Sequence, residues 1–142
     1  MPNQLGGYTF GELELGQVFD FSKVISKEDV KKFAEASGDN NPIHLDEAYA
    51  ATTQFKNCIV HGVLTAGLVS AAIGMHMPGP GSIYVGQNLQ FRRPVKVGAK
   101  VDVHLEIKEL NPDKKFVTIA TTASVDGKTV LTGEALVMVP AE

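Results

Sequence analysis

The longest stretch without charged side chains predicts a buried helix. Residues 57–91 contain no Lys, Arg, Asp or Glu, and their helix-like part runs from about Gly62 to Met77. This part is apolar on every side, which is typical of a helix inside a protein. It is shorter than the roughly 20 apolar residues that cross a bilayer, and it ends at Pro78-Gly79-Pro80-Gly81. We therefore expect a central buried helix and no membrane association.

Apolar and polar residues alternate through most of the chain after this helix, which predicts strands with one buried face each. The alternation covers residues 83–91, 101–107 and 117–125, and Asp126-Gly127 then predicts a tight hairpin. Residues 130–139 are apolar on almost every position, which is typical of a central strand. These four antiparallel strands together form one apolar face, and the long helix is the apolar element that this face can cover. We therefore expect the sheet to wrap around that helix.

The segment before the buried helix mixes short elements. Residues 17–25 favour a first strand, because they are rich in β-branched and aromatic side chains. Ser26, with an aspartate three residues later, predicts the start of a helix that ends near Ser37. Asp39-Asn40-Asn41-Pro42 predicts a loop, since Asn and Asp favour turns and proline disfavours helical geometry before it. Residues 46–51 predict a second, short helix.

Composition and charge narrow the class of protein. The chain has 142 residues, of which 44% are hydrophobic and 20% charged, as expected of one globular domain spanning residues 1–142. A formal net charge of -3 argues against a nucleic-acid partner. Cys58 is the only cysteine, so neither an intramolecular disulfide nor a thiolate metal cluster can form. The first residues lack the pattern of a secretory signal, and we expect a cytoplasmic protein.

The densest polar cluster is the segment from Ser37 to His44. It contains a carboxylate, Asp39, and an imidazole, His44, which together can move protons near neutral pH. A turn at Asn41-Pro42 would let both side chains face one water molecule. Two simpler interpretations stay open, in which Asp39 only forms the turn and His44 is a half-buried structural residue.

A family resemblance covers this cluster and most of the chain. The string FAEASGDNNPIHLDEAYA resembles the signature of the (R)-specific enoyl-CoA hydratases, the MaoC-like hydratase 2 family. That pattern is an aromatic residue, SGD-x-NP, an aliphatic residue, His and a later small residue. Here it runs from Phe33 to Ala50, with Ala36 smaller than the aliphatic residue usual before the serine. The segments IVHGVLTAGLVSAAIG, GSIYVGQNLQFRRPV and VLTGEALVMVP are similar to the family's central helix, following strand and last strand.

The resemblance implies a fold and an activity. The fold is the α+β hot-dog fold, in which an antiparallel sheet wraps around a long central helix. The activity is reversible syn hydration of a trans-2-enoyl-CoA to an (R)-3-hydroxyacyl-CoA. The expected partners are the acyl-CoA substrate and a second copy of the chain in a homodimer. No cofactor and no metal are expected.

The resemblance also implies catalytic roles. Asp39 and His44 would hold and activate the water, and the backbone amide of Gly62 would meet the thioester oxygen as negative charge develops on it. Gly62 suits that role because it stands at the predicted start of the buried helix, where an N–H has no intrahelical acceptor. An ordinary helix start explains the same glycine equally well.

Further residues are predicted near the substrate. Ser70 corresponds to a polar residue near the family's active site, although a serine in an apolar helix often bonds back to a carbonyl. Ile73 and Met138 are candidates for the acyl pocket, with core packing as the alternative. Arg92 and Arg93 could meet the CoA phosphates or could be solvated charges at a strand end. The sequence assigns no role to His61. The predicted substrate-binding residues are Asn41, Val60, Leu64, Ser70, Ile73 and Met138.

Three other functions compete with hydration. A 3-hydroxyacyl-ACP dehydratase would use the same chemistry on another carrier, and a basic docking patch would distinguish it. A hot-dog acyl-CoA thioesterase would attack the carbonyl and release a free thiol. A non-enzymatic acyl-CoA binding subunit would tolerate changes at Asp39 and His44.

Overall fold

Along the chain, one strand is followed by four α-helices and then by four more strands. The computed structural model describes residues 5–141. The strands are β1 (Val18–Val24), β2 (Ile83–Phe91), β3 (Lys100–Asn111), β4 (Phe116–Val125) and β5 (Lys128–Met138). The α-helices are α1 (Lys27–Ser37), α2 (Pro42–Leu45), α3 (Glu47–Ala51) and α4 (Gly62–Met75).

The strands form one sheet in the order β1-β3-β4-β5-β2, and all neighbouring strands are antiparallel. β5 lies between β4 and β2, so its prediction as a central strand is confirmed. Asp126 and Gly127 connect β4 to β5 with φ angles of 51° and 78°. Two successive residues with positive φ match the twist of a tight hairpin, which confirms that prediction as well.

One face of the sheet packs against α4, which contacts β1, β2, β3 and β4. The buried face of α4 joins one core cluster with the inward-facing side chains of the strands. This arrangement is the α+β hot-dog fold implied by the resemblance. α4 ends at Met75, two residues before the predicted end at Met77. Within residues 5–141, no helix combines the length and the apolar character needed to cross a membrane. The buried residues of α4 are Thr65, Leu68, Val69, Ala72 and Ile73.

α1 begins and ends where the sequence predicts. The Ser26 Oγ accepts a hydrogen bond from the Asp29 N–H at 3.1 Å, and the Asp29 carboxylate accepts one from the Ser26 N–H at 3.0 Å. These reciprocal bonds satisfy two N–H groups at the helix start. At the other end, Gly38 has a φ of 82°, which glycine adopts without steric cost. The chain therefore leaves α1 sharply at Gly38.

α2 was not predicted, and it begins at Pro42, the last residue of the predicted loop. Pro42 takes the first helical position, where its missing N–H costs nothing. The Asn41 Oδ1 caps the turn by accepting from the Ile43 N–H at 3.3 Å. His44 therefore projects from a helical turn, and its position is set by the backbone of that turn.

The prediction of a buried face was wrong for most of β2, although Leu89 packs against the core cluster. Ile83, Val85 and Phe91 expose 54%, 49% and 53% of their surface. β2 is an edge strand, and a bulge between Tyr84 and Gly86 interrupts its register with β5. The alternation in the sequence is real, but within this chain little covers these side chains.

Candidate active site

Short local hydrogen bonds shape the loop that carries Asp39. The Ser37 Oγ accepts from the Asp39 N–H at 3.1 Å, and the Asp39 Oδ1 accepts from the Asn41 N–H at 3.2 Å. With Gly38 turning the chain out of α1 and Asn41 capping α2, the segment folds back on itself. Asp39 and His44 consequently lie on the same side of the loop.

Three proton-transfer side chains converge at this point. One ligating atom each from Asp39, His44 and His61 can be chosen so that all lie within 4.8 Å of one another. A water molecule with two hydrogen bonds of about 2.9–3.0 Å bridges atoms about 4.7–4.9 Å apart at a tetrahedral angle. Asp39 is exposed, His44 is half-buried and His61 is buried. Solvent exposure therefore decreases across the site, from the Asp39 carboxylate at the surface to His61 in the core.

The ring of His44 is held by a backbone carbonyl. Its Nδ1 lies 2.8 Å from the Ile59 oxygen, and because a carbonyl can only accept, Nδ1 carries the hydrogen. In the neutral ring, Nε2 is then the nitrogen with the free lone pair. Ile59 is itself held, since its N–H donates to the Ile43 oxygen at 3.2 Å. The backbone of residues 43 and 59 thus fixes both the helical turn and the ring that it carries.

His61 is the site residue that sequence reasoning missed. Its ring stacks on His44 with centroids 3.8 Å apart and an interplanar angle of 26°. The ring of Phe33 also packs against it, tilted by 58° at 4.8 Å. His61 Nε2 donates to the backbone oxygen of Asp39 at 3.0 Å. A polar residue inside an otherwise apolar segment, directly before a helix start, was the available signal.

The three side chains are also of the types that bind metal ions. Two of the four imidazole nitrogens already donate to carbonyl oxygens, His44 Nδ1 and His61 Nε2. A metal ion would have to use the remaining nitrogens and the Asp39 carboxylate. Proton transfer needs no such ion, and the absence of metal and cofactor stays a prediction.

Gly62 is the first residue of α4, as the oxyanion role requires. Within residues 5–141 its N–H has no hydrogen-bond acceptor. A Cβ at this position would lie 2.7 Å from the Phe91 ring, so the close approach of that ring requires glycine. Gly62 lines a cavity of about 250 Å³ together with Thr65, Arg92 and Arg93. We call this space the Gly62 cavity.

His44 borders a different space, between α1 and the α2–α3 segment. This cavity of about 660 Å³ has Val30, Ala34, Leu45 and Cys58 among its lining residues. His61 connects the two regions, because it contacts His44 through its ring and precedes Gly62 in the chain. Burial raises the pKa of the Cys58 thiol, with a further contribution from the Glu47 carboxylate. A thiol that resists ionisation is a poor nucleophile.

The predicted substrate-binding residues occupy different environments. Val60 and Ile73 are buried, with 4% and 2% of their surface exposed. Leu64 is half-buried and borders a shallow pocket between β1 and α1. Asn41 is exposed and caps α2. Ser70 and Met138 are exposed, the latter on the opposite face of β5 from buried Val137. Contact of these six residues with a substrate stays a prediction.

Both arginines are attached to β5 beside the Gly62 cavity. The Arg93 guanidinium donates to the Thr129 oxygen at 2.8 Å, and Arg92 Nε donates to the Thr132 Oγ1 at 3.3 Å. Both are exposed and both line the cavity. Their charges therefore stand at its mouth, where they remain accessible to an anionic group.

Comparison with known proteins decides the family. Residues 12–129 match the family model described as MaoC like domain. The chain belongs to the MaoC-like family. Among its relatives, this MaoC-like protein is 49% identical to the (R)-specific enoyl-CoA hydratase of Rhodospirillum rubrum, over 93% of this chain and 92% of the relative. It is 50% identical to the 3-hydroxybutyryl-CoA dehydratase of Methylorubrum extorquens, over 92% and 83% of the two chains.

Solved structures agree with the fold of this MaoC-like protein. The unliganded R-hydratase PhaJ1 from Pseudomonas aeruginosa superposes with a TM-score of 0.92 at 50% identity. The match covers 96% of this chain and 88% of that one. The similarity therefore includes the sheet, α4 and the segment that carries Asp39, His44 and His61.

Proposed function

We propose that this protein is an (R)-specific enoyl-CoA hydratase, which adds water reversibly and syn across the double bond of a trans-2-enoyl-CoA. The observation that carries the proposal is the convergence of the Asp39 carboxylate and the His44 imidazole within reach of one water molecule. Relatives named as an (R)-specific enoyl-CoA hydratase and as a 3-hydroxybutyryl-CoA dehydratase support the same reaction in its two directions.

The residues divide the proton transfers between them. The Asp39 carboxylate holds the water, and the free lone pair of His44 Nε2 takes its proton as the oxygen attacks the β carbon. The pair then returns one proton to the α carbon, so the enzyme ends the turnover in its starting protonation state. Because the oxygen and the hydrogen arrive from one side, both residues need to lie on the same face of the bound substrate.

The thioester oxygen gains negative charge while water adds. The N–H of Gly62 lies at the positive end of the α4 dipole and has no competing acceptor within residues 5–141. A donor in this position stabilises the enolate more than the ground-state carbonyl, which is the requirement for catalysis. Arg92 and Arg93 at the mouth of the Gly62 cavity suit the phosphates of CoA.

The functional unit that we propose is a homodimer formed through β2. The strand is an edge of the sheet and carries Ile83, Tyr84, Val85 and Phe91 as exposed large side chains. Unpaired edge strands with apolar side chains are prone to pair with another chain. A second copy placed there would cover these residues and extend the sheet across the molecular two-fold axis.

The test follows the loss of conjugated enoyl-thioester absorbance with short and medium 2-enoyl-CoAs. Wild type should turn them over, and Asp39→Asn or His44→Ala should lower kcat by about 100-fold or more. Chiral analysis should find the (R)-3-hydroxyacyl-CoA. Release of free CoA without hydration would indicate a thioesterase, and activity confined to acyl-carrier-protein thioesters would indicate the other carrier. Full turnover in either variant would contradict the proposed site.

A further inference from the structure

We propose that His61 is a positioning residue for both members of the catalytic pair, holding Asp39 through a hydrogen bond to its backbone oxygen and His44 through ring stacking. The inference rests on the proposed hydratase function for its kinetic consequences. Its structural basis is independent of the substrate, because it consists of contacts made within the chain.

The contact with Asp39 comes from outside its own loop. Within residues 5–141, the other hydrogen bonds of Asp39 involve Ser37 and Asn41, which belong to the same exposed turn. His61 is fixed by the core, with 2% of its surface exposed. Its Nε2–H donates to the backbone oxygen of Asp39 at 3.0 Å and therefore connects the loop to the start of α4. Without that donor, the backbone that carries the Asp39 carboxylate would be held only by neighbours in the same turn, which move with it.

The contact with His44 fixes the remaining freedom of that ring. The hydrogen bond from His44 Nδ1 to the Ile59 oxygen fixes one ring atom, and stacking on His61 restrains the plane. Phe33 packs against His61 in turn, so the plane of His61 is itself restrained. His44 Nε2 is thereby aimed by a rigid neighbour, which matters because small displacements of a catalytic group reduce rates strongly.

Packing alone does not account for a histidine at this position. His61 Nδ1 and the Thr65 Oγ1, one helical turn later, are both buried without a hydrogen-bond partner among residues 5–141. Buried polar atoms without partners destabilise a fold, and a phenyl ring of similar shape would avoid one of them. A residue that reduces stability while it contacts the backbone of Asp39 and the ring of His44 is explained by how it positions the catalytic pair.

Two substitutions separate the two contacts. His61→Phe keeps the aromatic ring against His44 and Phe33 but removes the donor to Asp39. His61→Gln keeps a side-chain N–H donor but removes the ring. We expect His61→Phe to melt at or above the wild-type temperature while kcat falls by about 100-fold and KM changes little. His61→Gln should recover part of that kcat, and the surface variant His104→Phe should match wild type.

Wild-type kcat in His61→Phe would overturn the proposal, as would a His61→Gln enzyme no faster than His61→Phe. If His61→Phe fails to fold, His61→Leu replaces it in the same comparison. Imidazole NMR of the wild type gives a readout that needs no substrate, since His61 should be the Nε2–H tautomer. An Nδ1–H tautomer would also overturn the proposal. Loss of the proposed function would show differently, as an inactive wild type with the expected tautomer.

Discussion

Replacing Gly62 by alanine is the most direct test of the backbone amide as an oxyanion donor. The new Cβ would lie 2.7, 2.9 and 3.1 Å from three carbon atoms of the Phe91 ring. Carbon atoms pack at about 3.5–4.0 Å, so the ring would have to withdraw by about 1 Å. Phe91 exposes 53% of its surface and lies at the end of an edge strand, so it has room to move outward.

The effects on stability and on activity should therefore differ. Overpacking lowers the free energy of unfolding by about 1–3 kcal/mol. Because the exposed ring can move, we expect a loss at the lower end of this range. Alanine in a helix recovers up to about 1 kcal/mol relative to glycine. The net loss should be about 1 kcal/mol or less, or about 4 °C in Tm. Impaired access to the amide should reduce kcat by about 100- to 1,000-fold, because one oxyanion donor is worth about 3–4 kcal/mol.

Thermal unfolding and steady-state hydration of a 2-enoyl-CoA measure both quantities. Gly67→Ala is the matched control, since it lies in the same helix and its added Cβ would meet no atom within 4 Å. That variant should be slightly more stable and fully active. Combining Gly62→Ala with Phe91→Leu separates ring displacement from obstruction of the amide by the methyl group. A Gly62→Ala enzyme with wild-type kcat would refute the assignment of this N–H.

Two further predictions concern stability and assembly. The hydrogen bonds from Ser26 lower the pKa of Asp29 below its ordinary value of 3.8. The charged carboxylate therefore stabilises the folded state fully above the pKa of the unfolded chain. This stabilisation is lost as the pH falls through the lower pKa of the folded state. Asp29→Asn should show a smaller loss of Tm between pH 5 and pH 2, and an equal loss would exclude this contribution. Val85→Lys on β2 should yield a monomer in sedimentation analysis, whereas Val18→Lys, on the opposite edge with similar exposure, should not. A dimeric Val85→Lys protein would place the interface elsewhere.

Local signals predicted those elements that depend on local physics. The capping box at Ser26 and the hairpin at Asp126-Gly127 need only neighbouring residues, and both are present in the structure. The apolar helix α4 was equally visible from its composition, but the structure buries only one face of it and leaves Val63 and Met75 exposed. These elements predicted a sheet that wraps around one helix, and the family resemblance identified this arrangement as the hot-dog fold.

The missed features depend on contacts between distant residues. β2 alternates like a buried strand, yet its exposure follows from its place at the edge of the sheet. α2 was not predicted, because Asn41 and Pro42 indicated only a turn, whereas in the structure Asn41 caps a helical turn that begins at Pro42. The stacking of His61 on His44 joins positions 17 apart in the chain, and no periodicity predicts it. The proximity of Asp39 and His44, in contrast, was foreseeable from the turn between them.

The mutual pairing of residues 43 and 59 has a consequence for engineering. The Ile59 N–H donates to the Ile43 oxygen, and the Ile59 oxygen accepts from His44. The segment between them, which contains α3 and the turns after it, is thus a loop whose two ends are hydrogen-bonded to each other. The entropic cost of closing such a loop rises only slowly with its length. A peptide tag or a recognition module inserted near residue 54 should therefore leave the enzyme's proton-transfer geometry unchanged.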